Sequence, residues 1–257
     1  MTTLNMEKKL IIANWKMHYG PVKAGAWIRA FRRERLPKDL DVAVAPPFVS
    51  LASVRASLGR ASIPALASQD VYWEMEGKFT GEVSPPMLEE LGMQYCLVGH
   101  SERRKHFGET SETARKKAIA LQSVGISPVL CVGETVIERR EGNALKTVRA
   151  QVRAGMKGVK VEGKAPLIVA YEPVWAIGSG RACAPHDIHE MHEAIRGILR
   201  KAYGEKAEDV RILYGGSVDE HNILEYMTTS GIDGALVGTA SLDPAAFGRL
   251  CRASIVT

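Results

Sequence analysis

The chain has 257 residues, 46% hydrophobic and 25% charged, the usage of an ordinary soluble globular protein that buries a sizeable core without needing disulfides or a metal. Its 34 Lys and Arg exceed its 29 Asp and Glu, giving a formal charge of +5; the basic clusters at Arg32 to Arg35 and Arg139 to Arg140 are short and broken by glutamates, so they read as solvated helix faces, exclude a nucleic-acid-binding stripe and leave a modest attraction for a phosphorylated metabolite. No apolar run reaches the roughly 20 residues of a membrane span, the start reads as no secretory signal, and Cys96, Cys131, Cys183 and Cys251 form no CxxC pair, which points to a cytoplasmic protein with free thiols.

In chain order, eight short aliphatic runs end in polar or glycine-containing turns: KLIIANWK (9–16), DVAVAPP (41–47), IPALASQ (63–69), YCLVGHS (95–101), ISPVLCVGE (126–134), PLIVAYEP (166–173), RILYGGS (211–217) and GALVGTA (234–240). They are too short for helices and too continuously apolar for half-exposed strands, so strands buried on both faces of a parallel sheet are predicted. Helical periodicity lies between them. Ala114, Ala118 and Leu121 form one stripe, with Gly125 at the expected end of that helix. Over 186–203, Ile188, Met191, Ile195, Ile198 and Ala202 form another, with Pro185 where the helix begins. Eight such strand and helix pairs, with no linker and no shift of composition, predict a closed (β/α)8 barrel, a single domain over 1–257. A doubly wound open sheet is the alternative, but NWKMHYG follows the first strand where a dinucleotide-binding version would carry GxGxxG.

In a barrel the chemistry gathers at the carboxyl ends of the strands. Those ends supply Asn14 and Lys16, Gln69, His100, Glu134, Glu172, Ser217 and Gly238. Glu172 ends an apolar strand before a proline, as a base held on rigid backbone would, although a structural ion pair accounts for a lone carboxylate equally well. His100 stands where a helix starts, a place that disfavours the imidazolium and keeps a neutral ring able to donate, or makes it a structural cap. Asn14 and Lys16 lie on one side of an extended strand end, and an ammonium in a barrel mouth is expected to meet an anion. YGGS (214–217) and VGTA (237–240) place glycines and small hydroxyl residues after the last two strands, where backbone N–H groups hold phosphate in many barrels.

NWKM, TGEVSP, VGHSERR, LCVGE, AYEPVWAIGSG, YGGSV and DGALVG occur in the order and spacing of the triosephosphate isomerase family, which the chain resembles over nearly its whole length. The resemblance implies an isomerase of glycolysis and gluconeogenesis that interconverts dihydroxyacetone phosphate and D-glyceraldehyde 3-phosphate through an enediolate, without cofactor or metal. It implies Glu172 as the base, His100 as the group that polarises the carbonyl and shuttles protons, and Lys16 and Asn14 as stabilisers of the developing charge. Gly178, Ser217, Gly238 and Thr239 would bind the phosphate, with Glu102, Glu134 and Trp175 in support. Residues 173–180 would form a lid whose Trp175 meets Glu134 in the open state. The loop at 69–82 would insert into a second subunit of a homodimer, with Glu82 and Arg103 supporting that interface.

The chain departs from the family's pattern at Thr239, where VGTAS replaces the usual VGGAS, and at Asp70 and His18, where asparagine is usual. Of these, Thr239 alone points to a related ketose phosphate, such as a tetrulose phosphate, as substrate. A non-catalytic phosphate-binding barrel is a further reading, against which the intact set of Asn14, Lys16, His100 and Glu172 argues. HxxHxxH at His186, His189 and His192 would spread its first and last rings about 120 degrees apart on a helix, so no shared metal is expected. Cys96 and Cys131 read as packing residues within strands, and Cys183, near the far end of the lid, stays open as a reactive thiol.

Overall fold

The computed structural model describes residues 8–177 and 183–255. All eight aliphatic runs form strands: β1 (Lys9–Asn14), β2 (Leu40–Ala45), β3 (Ala65–Ser68), β4 (Tyr95–Val98), β5 (Ser127–Val132), β6 (Ile168–Tyr171), β7 (Ile212–Tyr214) and β8 (Gly234–Val237). Each pairs in parallel with its successor, and β8 returns to pair with β1, so the sheet closes and the open alternative is excluded. Around it run α1 (Pro21–Phe31), α2 (Phe48–Leu58), α3 (Pro85–Glu90), α4 (Ser101–Phe107), α5 (Ser111–Ser123), α6 (Val136–Arg140), α7 (Ala144–Met156), α8 (Pro185–Tyr203), α9 (Ile223–Thr228) and α10 (Pro244–Ala253) among the described residues.

The period-two alternation of a strand divides the core in two. Leu10, Ile12, Ala43, Ala45, Ala67, Leu97, Val129, Cys131, Ile168, Ala170, Leu213 and Leu236 form a buried cluster drawn from strands alone, which fills the barrel. Their sequence neighbours, such as Ile11, Ala13, Val98 and Leu130, pack outward with Trp27, Ile28, Ile188 and Ile195 of the helical layer. Cys96 and Cys131 are fully buried within this packing.

Helix signals follow the sequence closely. Ala114, Ala118 and Leu121 are buried on α5, and Gly125 just beyond it takes a left-handed φ of +82° that favours glycine. Pro185 opens α8, whose Ile188, Met191, Ile195 and Ile198 are buried. Ala202 is exposed, against expectation. The stripe drifts at 3.6 residues per turn, so Leu199 is buried in its path and Tyr203 ends it, donating its hydroxyl to the Met156 and Val159 carbonyls.

One glycine fixes the mouth of the barrel. A Cβ on Gly133 would lie 1.7 Å from the Glu172 carbonyl oxygen, so only glycine lets the chains leaving β5 and β6 come this close.

Candidate active site

The inward alternation of the strands runs straight into the polar residues. Two positions beyond Ile12 is Asn14, two beyond Ala170 is Glu172, and two beyond Leu236 is Gly238, so the register that fills the barrel also points these groups into its mouth. They line one cavity of about 400 Å³ together with Lys16, His100, Ser217 and Thr239. Of the eight predicted strand-end residues, Asn14, Lys16, His100, Glu172, Ser217 and Gly238 meet there, whereas Gln69 and Glu134 do not line the cavity. Gln69 roots the neighbouring loop, its amide donating to the Lys16 and Ala45 carbonyls at 2.8 and 2.7 Å.

Lys16 has φ of 51°, a left-handed backbone that costs a non-glycine residue and is held only by its surroundings. Its N–H donates to Asn14 Oδ1 at 3.0 Å, and its ammonium donates to Glu102 at 2.7 Å. The anion met by this lysine within the chain is therefore the half-exposed Glu102 of α4.

Glu172 is 2% exposed, and its carboxylate accepts the Ser101 N–H at 2.9 Å and the Ser101 hydroxyl at 3.3 Å. His100 Nε2 lies 2.9 Å from Oε1, the oxygen that also takes the Ser101 hydroxyl, and 3.3 Å from the Asn14 amide, while Nδ1 accepts the Glu102 N–H at 3.3 Å. Burial works against the Glu172 carboxylate, but the charge and hydrogen bond of His100 and the two Ser101 donors outweigh it and hold its pKa below the usual carboxylate range.

His100 departs from the sequence expectation. Burial disfavours its charged form, yet the Glu172 carboxylate, and Glu102 after it, outweigh that and raise its pKa above the ordinary imidazole value. The helix-terminal N–H on Nδ1 acts in the expected direction but does not prevail while Glu172 is in contact. Burial and the Glu102 N–H thus favour the neutral ring, while the Glu172 and Glu102 carboxylates favour the charged one.

Glu134 is fully buried. Its carboxylate accepts the Trp175 indole N–H at 2.7 Å, the Tyr171 hydroxyl at 3.1 Å and an Arg139 N–H at 3.2 Å. Trp175 is thus fixed on a buried anion just beyond Glu172. Gly178 lies outside the described residues, as do 179 and 180 of the expected lid.

At the last strand end, Thr239 opens a short 3-10 turn, Thr239–Ser241, and is exposed. It is not among the positive-φ non-glycine residues of the described chain, Lys16 and Tyr19, so its backbone does not need the second glycine. Asp70 is buried, pairing with Lys117 at 2.6 Å and Arg103 at 2.8 Å, both of which also meet Glu109. These charges tie the root of the loop at 69–82 to α4 and α5.

The three clustered histidines take separate partners: His186 faces Glu190, His189 the Ser230 carbonyl, and His192 the Gly231 carbonyl. Cys183 is buried, and burial pushes its thiol up to about 12, so the possibility of a reactive thiol is withdrawn. Sequence reading missed Ser101, although its place after His100 at a helix start marks a free N–H. Arg139, expected on a solvated helix face, instead turns back to Glu134 at 3.2 Å.

The family model described as triosephosphate isomerase matches residues 9–254. The chain is 45% identical over 252 residues to a triosephosphate isomerase of Carboxydothermus hydrogenoformans, covering 97% of this chain and 100% of that one. It is 43% identical over 246 residues to that of Thermoanaerobacter sp. (strain X514), covering 95% and 99%. To the Thermus thermophilus protein of the same description it is 43% identical over 248 residues, covering 96% and 99%.

Proposed function

The chain belongs to the triosephosphate isomerase family, and from that premise we propose that Glu172, His100, Lys16 and Asn14 carry out its isomerisation. It interconverts dihydroxyacetone phosphate and D-glyceraldehyde 3-phosphate by proton transfer through an enediolate. The observation that carries the residue assignment is the meeting of Glu172, His100 and Asn14 within hydrogen-bond reach at the floor of the cavity that Lys16 borders.

Glu172, held as the carboxylate by its low pKa, takes the proton from the hydroxymethyl carbon beside the ketone. His100 gives its Nε2 proton to the carbonyl oxygen, then takes the proton of the neighbouring hydroxyl. Glu172 returns its proton to the former carbonyl carbon, which leaves the aldehyde and both enzyme groups as they began. The Lys16 ammonium, held by Glu102, and the Asn14 amide, held by the Lys16 backbone N–H, would stabilise the oxygens on which charge develops with little reorganisation as the enediolate forms. Ser217, Gly238 and Thr239 line the side of the cavity where the phosphate of the substrate would lie, with Gly178 as a further donor.

We read residues 1–257 as one domain and the protein as a cytoplasmic homodimer. The subunit reading is supported by Met17, at 94% exposure, and by exposed Met75 and Phe79 in the loop at 69–82, apolar side chains that a partner would cover. Among the described residues no helix is long and apolar enough to cross a membrane.

A coupled assay of dihydroxyacetone phosphate against a tetrulose phosphate, run with wild type and Glu172→Gln, tests this reading. The expected result is triose turnover that the variant loses. Preference for the tetrulose phosphate, or equal turnover in the variant, would overturn it.

A further inference from the structure

One guanidinium holds both ends of the segment that follows Glu172. Arg139, on the short helix α6, donates from one terminal nitrogen to Glu134 Oε1 at 3.2 Å and from the other to Asp187 Oδ2 at 2.8 Å. Its central carbon lies 4.5 Å from the centre of the Trp175 ring. The chain leaving β6 meets it through Trp175, the first turn of α8 through Asp187, and the end of β5 through Glu134.

The support beneath this cation is rigid. Thr135 and Glu138 form a reciprocal capping box at the start of α6, and Glu138 also accepts the Thr147 hydroxyl of α7. A planar guanidinium can face an indole while its edge serves two carboxylates, which a lysine ammonium cannot do at once. On the other side, the Trp175 indole and the Val174 N–H both end on Glu134, at 2.7 Å to its carboxylate and 3.1 Å to its carbonyl. Glu172 is therefore followed by residues whose place is set by Glu134 and by what Glu134 is paired with. Arg139 stands outside the cavity that holds the reacting groups, so whatever it contributes to turnover acts through position.

We propose that Arg139 is a positioning residue for the isomerisation: by binding Glu134, Asp187 and the face of Trp175 together, it sets the place of residues 173–175 and so the aim of the Glu172 carboxylate. The inference rests on the reading of Glu172 as the base.

The test compares Arg139→Ala, Arg139→Lys and Asp187→Asn with wild type in kcat, KM, tryptophan emission and thermal melting. Trp175→Phe identifies the share of emission that belongs to Trp175, and Glu172→Gln serves as a reference for loss of the base. The expected result for Arg139→Ala is a kcat lowered roughly ten- to a hundred-fold, with a smaller change in KM and a shift in the Trp175 share of the emission. Arg139→Lys should restore melting but only part of kcat. Asp187→Asn leaves Glu134 paired and should shift the same emission with a smaller loss of kcat; these two variants decide the matter if Arg139→Ala does not fold. Wild-type kcat in Arg139→Ala, or Arg139→Lys matching wild type in both kcat and emission, would overturn the proposal. Wild-type turnover in Glu172→Gln would instead remove the base assignment while leaving the emission response of the Arg139 variants intact, so the two failures are distinguishable.

Discussion

His100 Nε2 lies 2.9 Å from Glu172 Oε1 while the opposite nitrogen of the same ring accepts the Glu102 backbone N–H at 3.3 Å. The imidazole is held between a carboxylate that favours its charge and a helix start that opposes it. Both groups are buried, and their mutual attraction raises the pKa of His100 and lowers that of Glu172, so they titrate as a pair.

That pairing makes Ser101→Ala informative. Glu172 has a lowered pKa, so its carboxylate should stay ionised below the ordinary carboxylate range and be lost only as pH drops through the lowered value. Removing the Ser101 hydroxyl deletes one of the donors that hold the carboxylate. The part of the acid limb of kcat/KM that follows Glu172 should then move to higher pH. A limb that does not move would show that the hydroxyl has no part in holding the base.

Lys16→Ala removes the ammonium from a strained backbone position beside Asn14. On the proposed role, in which the cation serves both the bound anion and the developing enediolate, KM should rise and kcat should fall together, lowering kcat/KM by at least about 10²- to 10³-fold. Steady-state kinetics with dihydroxyacetone phosphate measure this directly. A change confined to KM would restrict Lys16 to binding.

Trp175→Phe leaves the buried Glu134 carboxylate without its shortest donor. Loss of one hydrogen bond to a buried charge should destabilise the fold by about 1–3 kcal/mol, read from denaturant unfolding, and the variant should also lower kcat. Stability equal to wild type would mean that Tyr171 and Arg139 satisfy Glu134 unaided.

His192 is buried against the Gly231 carbonyl, and burial pushes its pKa down to about 4. The unfolded chain therefore binds this proton at higher pH than the folded one. Stability should be complete above about pH 6.5 and fall by roughly 3 kcal/mol as pH drops to about 4. In His192→Gln, whose amide can still donate to Gly231, the loss of stability with falling pH over that interval should be shallower than in wild type. An unchanged slope would assign the acid sensitivity to other groups.

The eight strands and the closure of the barrel were legible because each run is apolar on both faces, which in a chain of this length has few other solutions. Asn14, Glu172 and Gly238 were legible for a related reason: they continue the same alternation past the last apolar residue. The paired state of His100 and Glu172 was not, since it depends on a contact between the ends of two strands that are 72 positions apart in number yet meet across the mouth of the barrel. Arg139 was hidden in the same way, because a cation beside another cation on a short helix has the pattern of a solvated face until Asp187 and Trp175 are brought to it. Ala202 failed through simple geometry, the stripe having drifted by one residue over the length of α8.

The claim that Glu172 is the base meets its most direct test in exchange of the carbon-bound proton of dihydroxyacetone phosphate with D2O, followed by NMR alongside isomerisation, in wild type and Glu172→Gln. Wild type is expected to exchange and isomerise, and the variant to lose both by about 10²- to 10⁴-fold with its fold intact. Exchange at the wild-type rate in Glu172→Gln would contradict it, because some other group would then be taking the proton.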